Sequence, residues 1–200
     1  MTVTFCDEAP WGFGWIAAEP AFMQRASHAL LADGGVWLID PVDFPGLDER
    51  VCALGRPAGV IQLLDRHGRD CAPVSARLGV PIWITPPAAI PGSPFELVEL
   101  KRSRLWRESA LWWPGQRVLV VAEAVGTARY FRAPGEALGV HPLLRLAPPR
   151  RLLGFEPEHV LVGHGAGVHE SATGALHAAI RNSRRDALRV LPRLVTFNRV

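Results

Sequence analysis

The sequence predicts one domain of mixed α/β (α+β) class spanning residues 1–200. Three observations carry that reading. Short apolar runs rich in Val, Ile and Leu recur along the chain and stop at Asp, Pro or Gly, as buried strands do. Segments with helical spacing lie between several of them. No repeat, low-complexity tract or linker interrupts the pattern.

Residues 29–32 and 36–39 flank Asp33-Gly34-Gly35, residues that tolerate positive φ, and so read as a β-hairpin ended by Asp40-Pro41. Residues 47–54 place Leu47, Val51 and Leu54 on one helical face, and Gly55-Arg56-Pro57 ends the helix. A short strand over 60–64, a helix over 72–78 and a strand over 81–84 follow. The prolines of 85–94 make an irregular connection. Residues 95–100 and 109–113 are strand-like, Trp113-Pro114-Gly115-Gln116 is a turn, and 117–122 (RVLVVA) is the clearest buried strand. Residues 160–162 form the last core strand. Residues 170–191 read as a terminal helix with Ala172, Leu176, Ala179 and Ile180 on one face.

Composition narrows the function classes. The chain is 48% apolar and 20% charged, with a net charge of +3, as in ordinary globular proteins. Lys101 is the only lysine, and the arginines lie in small scattered clusters with no basic run interleaved with aromatics, so no nucleic-acid partner is expected. No apolar run approaches the roughly 18 residues of a membrane span, so no membrane role is expected. The N-terminus lacks a secretory pattern, which makes a cytoplasmic address the expectation. Cys6, Cys52 and Cys71 are too few and too scattered for a disulfide framework.

The stretch QLLDRHGRDCAPVSARLGVPIW (62–83) sets the functional question. It packs Asp65, Arg66, His67, Arg69, Asp70 and Cys71 into seven positions between an apolar strand and a helix. Around it, a hairpin ends in LIDP, a later strand ends in a carboxylate (VLVVAE), and another leads into VGHG. In this order the landmarks resemble the metallo-β-lactamase superfamily over residues 27–165. The resemblance implies a four-layer αββα sandwich and a hydrolase scaffold with two metals, most often zinc, at one edge of the paired sheets.

Laid on that family's His-x-His-x-Asp-His motif, the chain reads Arg66-His67-Gly68-Arg69-Asp70-Cys71. Both leading histidines are replaced, the aspartate is kept, and the last histidine becomes Cys71. The family's next histidine falls in residues 104–113, which hold none. Glu123 stands for the bridging aspartate, and His164 in Gly163-His164-Gly165 for the final histidine.

The resemblance therefore implies that the first metal position has lost its ligands and carries a permanent guanidinium instead. The second would keep Asp70, Cys71, Glu123 and His164, all plausible zinc ligands, as a possible single metal site. Arg66 is expected to pair with Glu123 or Asp70 and balance the pocket without metal. No cofactor is thus the first expectation, and one divalent ion such as zinc the alternative. Asp70, Glu123, His164 and Arg66 are the candidate catalytic residues.

Two readings stay open. One is a diverged hydrolase, lacking the binuclear centre, that acts on a small ester, thioester or lactone with one metal or none. The other is a non-catalytic binding or scaffolding module. In the bland reading Asp70 only caps the helix after it. His67, lying between motif positions, is expected to turn away, and His141, His159, His169 and His177 match no ligand position. Trp11, Phe13, Trp15, Phe22, Trp106, Trp112 and Trp113 are core packing or, alternatively, a pocket wall or homodimer patch. Residues 130–150 are expected to form a lid or excursion near the site.

Overall fold

The computed structural model of the chain describes residues 1–18 and 24–190. Six strands in chain order, β1 (Val3–Ala9), β2 (Gly12–Ala17), β3 (Ala26–Ala32), β4 (Gly35–Ile39), β5 (Arg56–Gln62) and β6 (Ile82–Ile84), form one sheet in that same order. β1 to β4 pair antiparallel, while β4–β5 and β5–β6 are parallel. Parallel neighbours need a crossover, and the helices α1 (Leu47–Leu54) and α2 (Cys71–Leu78) supply the two. The second sheet holds β7 (Glu96–Ser103), β8 (Trp106–Trp113) and β9 (Val118–Val121). After the two-stranded pair β10 (Val125–Gly126) and β11 (Gly139–Val140), β12 (His159–Val162) completes it in the order β12-β9-β8-β7. The last helix is α3 (Ala172–Asn182).

Period-two alternation assigns the residues of the first sheet to two cores. Leu30, Ala32, Trp37, Ile39 and Ile61 join Ala110, Leu111 and Val120 of the second sheet in one apolar cluster. Their chain neighbours Ala29, Val36, Leu38 and Val60 join Leu47 and Val51 of α1 and Val74 of α2 in another. The sheets thus face each other, with α1 and α2 on the outside of the first. Every residue of β9 is buried, because Leu176, Ala179 and Ile180 of α3 belong to the same cluster as that strand. The layers run α, β, β, α, as the family resemblance implies.

Most expected elements lie within four residues of their observed bounds, but the last helix, expected over 170–191, stops at Asn182, where Ser183 gives its hydroxyl to the Arg145 carbonyl and residues 183–186 turn. The short pair β10–β11 was not expected. The hairpin of β1 and β2 was not expected from the sequence, because its apolar residues are aromatic and separated by glycines. Phe13 and Trp15 fill the outer core, and Gly12 lies so close to β3 that a Cβ there would stand 2.2 Å from the Ala29 carbonyl oxygen. Trp106 and Trp113 are also core residues, as one of the two readings had it. Phe22 and residue 191, the expected end of the last helix, lie outside the described residues. All three cysteines are free.

Candidate functional site at the strand ends

Asp40 leaves β4 in the left-handed region (φ 44°), which turns its carboxylate back across the sheet end. Its Oδ1 accepts the Leu63 N–H at 2.9 Å and its Oδ2 lies 3.0 Å from His67 Nδ1. The loop after β5 closes a β-turn in which the His67 N–H donates to the Leu64 carbonyl. That turn breaks the strand alternation. His67 therefore points into the site, contrary to the expectation that it would turn away. Arg69 straps the loop down, its guanidinium donating to the carbonyls of Ala26, Asp40 (2.9 Å) and Gly163 (2.9 Å).

Glu123 sits two residues beyond β9. Its N–H and that of Ala124 both donate to Oε1 of the buried Glu108 at 2.8 Å, while Trp106 Nε1 donates to Oε2 at 2.8 Å. Glu108 thus fixes the direction in which Glu123 leaves the strand. Burial pushes its carboxyl up to about 7 against the pull of those three hydrogen bonds. His164 follows β12, and Gly163 before it has no room for a side chain, since a Cβ would meet the Ala122 carbonyl oxygen at 2.2 Å.

These strand ends bring His67 Nε2 and His164 Nε2 to 3.2 Å. Among the described residues, His67, Glu123 and His164 are the one group of three or more His, Cys, Asp or Glu side chains with ligand atoms within 4.8 Å of one another, and all three are buried. Burial holds His67 well below the usual histidine range, helped by Arg69 and Arg66, so its ring is neutral. The contact of Nδ1 with the Asp40 carboxylate assigns the proton to Nδ1 and leaves Nε2 bare. Burial raises the Asp40 carboxyl to about 6, against the attraction of Arg69.

Arg66 closes the outer side. It donates to Glu123 Oε2 at 2.8 Å and to the Leu105 carbonyl at 2.8 Å, and it lies over the Trp106 ring at 4.4 Å. His141, overlooked as a site residue in the sequence, places Nε2 3.8 Å from Glu123 Oε1. Its Nδ1 accepts the Leu143 N–H, so the neutral ring carries its proton on Nε2. Burial, then Arg66, pushes His141 down to about 4. Residues 130–150 wall this side: Phe131 stacks on His164, and Tyr130 packs against His141. That segment is pinned by the buried Arg145, which donates to Glu136 and to the Phe131 carbonyl, both at 2.6 Å.

Of the expected metal-ligand set, the structure brings Glu123 and His164 together, with Arg66 against Glu123. Asp70 and Cys71 are engaged elsewhere. Asp70 precedes α2 but makes no side-chain cap; its Oδ2 accepts the Asp43 N–H at 2.8 Å. Cys71 packs in the outer core with Sγ directed to the His67 carbonyl, and burial raises its thiol far above the usual range, so it is no thiolate. His67 takes the place expected for them.

A four-layer αββα sandwich with this strand order is the metallo-β-lactamase fold. Known structures bear this out. The DIM-1 metallo-β-lactamase superposes with a TM-score of 0.61 at 10% identity, over 93% of this chain and 97% of that one. A metallo-β-lactamase from Pontibacter korlensis gives 0.60 at 12% identity, over 90% and 100%. TTHA1623 in a di-iron-bound form gives 0.54 at 19% identity, over 76% and 93%. At such identities the likeness is one of fold. No protein-family model matches the sequence, and no curated protein matches it significantly.

Proposed function

We propose that the chain is a one-metal hydrolase acting on a small ester, thioester or lactone, with His67, His164 and Glu123 as the residues that hold the ion. The 3.2 Å between the two Nε2 atoms carries this reading. Two imidazoles on one zinc ion, at about 2.0–2.1 Å each and angles from square to tetrahedral, hold their nitrogens about 2.9–3.4 Å apart. The donor set also fits: two neutral imidazoles and a carboxylate leave a position open, as catalytic sites require. Asp40 on His67 Nδ1 is the outer carboxylate that metal-binding histidines commonly carry.

The same residues do not fit two ions. The first motif position carries Arg66, whose guanidinium already sits on Glu123, and no further cluster of donors lies beside it among the described residues. A bound divalent ion would polarise a carbonyl and supply hydroxide near neutral pH. The chain's residues do the rest. Asp40 keeps the proton on His67 Nδ1, Glu108 aims Glu123, and Trp106, Phe131 and His141 exclude water. Arg66 offers N–H donors to a developing oxyanion.

Metal content and zinc calorimetry on the full chain test this, with hydrolysis of 4-nitrophenyl acetate, an acyl thioester and a lactone as activity readouts. The expected result is that His67→Ala and His164→Ala each lose one equivalent of zinc and the activity with it. If neither variant loses any, the Arg66–Glu123 pair is the resting state of a non-catalytic binding module. Loss of two equivalents together would instead mean a binuclear centre.

A further inference from the structure

A second pair of ring nitrogens meets at the opposite end of β12. His159, on that strand, and His169, on the approach to α3, place their Nδ1 atoms 3.0 Å apart with the rings inclined at 55°. The antiparallel bridge between Val160 and Val168 sets His159 and His169 opposite each other, and their rings turn toward one another. We propose that His159 and His169 hold one divalent transition-metal ion through their Nδ1 atoms, at a site separate from the His67–Glu123–His164 cluster.

The protonation pattern around the pair supports the proposal. The side chain of Asp7 is covered, and its Oδ1 accepts the Gly167 N–H at 2.8 Å and faces His169 Nε2 at 2.9 Å; its Oδ2 faces His28 Nε2 at 3.2 Å. A carboxylate oxygen at that distance takes an N–H from His169 Nε2, so Nδ1 is the ring nitrogen turned to His159 and available to an ion. Aspartate on the far nitrogen of the ring is the same bracing that Asp40 gives His67, and it orients a histidine toward an ion. The 3.0 Å separation falls within the span of about 2.9–3.4 Å set by two imidazoles on one ion.

The surroundings leave room and do not oppose the charge. The pair faces an open pocket of ≈ 320 Å³ that Glu158, Ser171 and Thr173 also line, so oxygen donors and water have access to the remaining positions. The one cation on that wall, Arg117, lies 3.4 Å from the Glu158 carboxylate. Trp11 packs against the His159 ring at a tilt, with centroids 5.3 Å apart. Two imidazoles with exchangeable oxygen donors suit zinc, nickel or copper rather than magnesium or calcium, which prefer all-oxygen sites. An ion there would tie β12 to the segment entering α3 and, through Asp7, to β1.

Zinc calorimetry of the full chain and of His159→Ala, His169→Ala and His67→Ala is the test. The expected result is that His159→Ala and His169→Ala each lose one equivalent that His67→Ala keeps, whatever happens at the other cluster. Asp7 is a positioning residue, so Asp7→Asn should weaken this equivalent by about tenfold or more. Should a variant misfold, ¹⁵N spectra of the imidazoles in the wild-type chain give the answer directly: zinc should move the Nδ1 resonances of both His159 and His169. Unchanged stoichiometry and affinity in His169→Ala, or His159 and His169 resonances indifferent to zinc, would overturn the proposal and leave a simple N–H···N hydrogen bond.

Discussion

Replacing Arg66 with alanine separates metal binding from turnover. In the structure the guanidinium makes one charge-assisted bond to Glu123 at 2.8 Å, and an ion taking Glu123 as a ligand must weaken or displace it. Such a bond contributes about 1.5–3 kcal/mol in a buried setting. Arg66 is 44% exposed while Glu123 is only 11% exposed, so solvent screens the pair and about 1–1.5 kcal/mol is the better figure. Removing the competitor should therefore tighten zinc binding at this cluster about five- to twelvefold.

The metal-free protein should respond in the opposite direction. Glu123 loses its cation partner in a mostly buried place, a cost of about 1–2 kcal/mol, which lowers Tm by about 2–8 °C for a domain of this size. Saturating zinc should restore it. Turnover should fall by about 10² despite the tighter metal, because the donor facing the oxyanion is gone. Calorimetry, thermal melts with and without zinc, and kcat on the best of the three substrate classes measure these three effects. An unchanged or weaker zinc affinity in Arg66→Ala would refute the competition between guanidinium and ion.

Asp40→Asn keeps the size of the side chain but loses the carboxylate on His67 Nδ1; zinc affinity should drop about 10–100-fold, read by competition with a chromogenic chelator. Gly163→Ala drives a methyl against the Ala122 carbonyl oxygen at the join of β9 and β12, and urea melts should show a loss of about 3 kcal/mol or more. Acid should destabilise the fold through His141. Its folded value of about 4 lies below the ordinary 6.5, so its contribution is whole above pH 6.5 and is lost as pH falls toward 4. Glu108, raised to about 7, acts with the opposite sign, its penalty appearing as pH rises from about 4.5 through 7. Urea melts of His141→Gln should therefore lose less stability between pH 6.5 and 4 than the wild-type chain.

The strands that could be read from sequence are those whose two faces meet different apolar layers. RVLVVA reads as a buried strand because β9 lies between the opposing sheet and α3, so no position needs to be polar. The β3–β4 hairpin reads from its Asp-Gly-Gly turn. The β1–β2 hairpin does not, because its outer strand is half exposed and its inner strand, GFGWIA, trades β-branched residues for glycines that let β3 approach.

The site was legible where a side chain leaves the end of a regular strand. Glu123 and His164 follow β9 and β12 at matching positions of a parallel pair, so strand register alone carries them to one edge. His67 follows a strand too, but four residues, 63–66, intervene and include a turn, and a rule of alternate faces holds only while the backbone stays extended. The family motif reinforced the error by assigning function to the positions on either side of it. A physical signal pointing to His67 was nonetheless present in the chain. Asp40 ends the central strand of the sheet and cannot remain buried without partners. The loop from the adjacent parallel strand, β5, is where those partners must come from, and it carries Arg66, His67 and Arg69; Arg66 goes to Glu123, so Arg69 and His67 remain. Arg69 spends its donors on the carbonyls of Ala26, Asp40 and Gly163, which leaves His67 as the ring to meet the carboxylate. Once Nδ1 is taken by Asp40, the opposite ring nitrogen faces the ends of β9 and β12, where His164 and Glu123 stand.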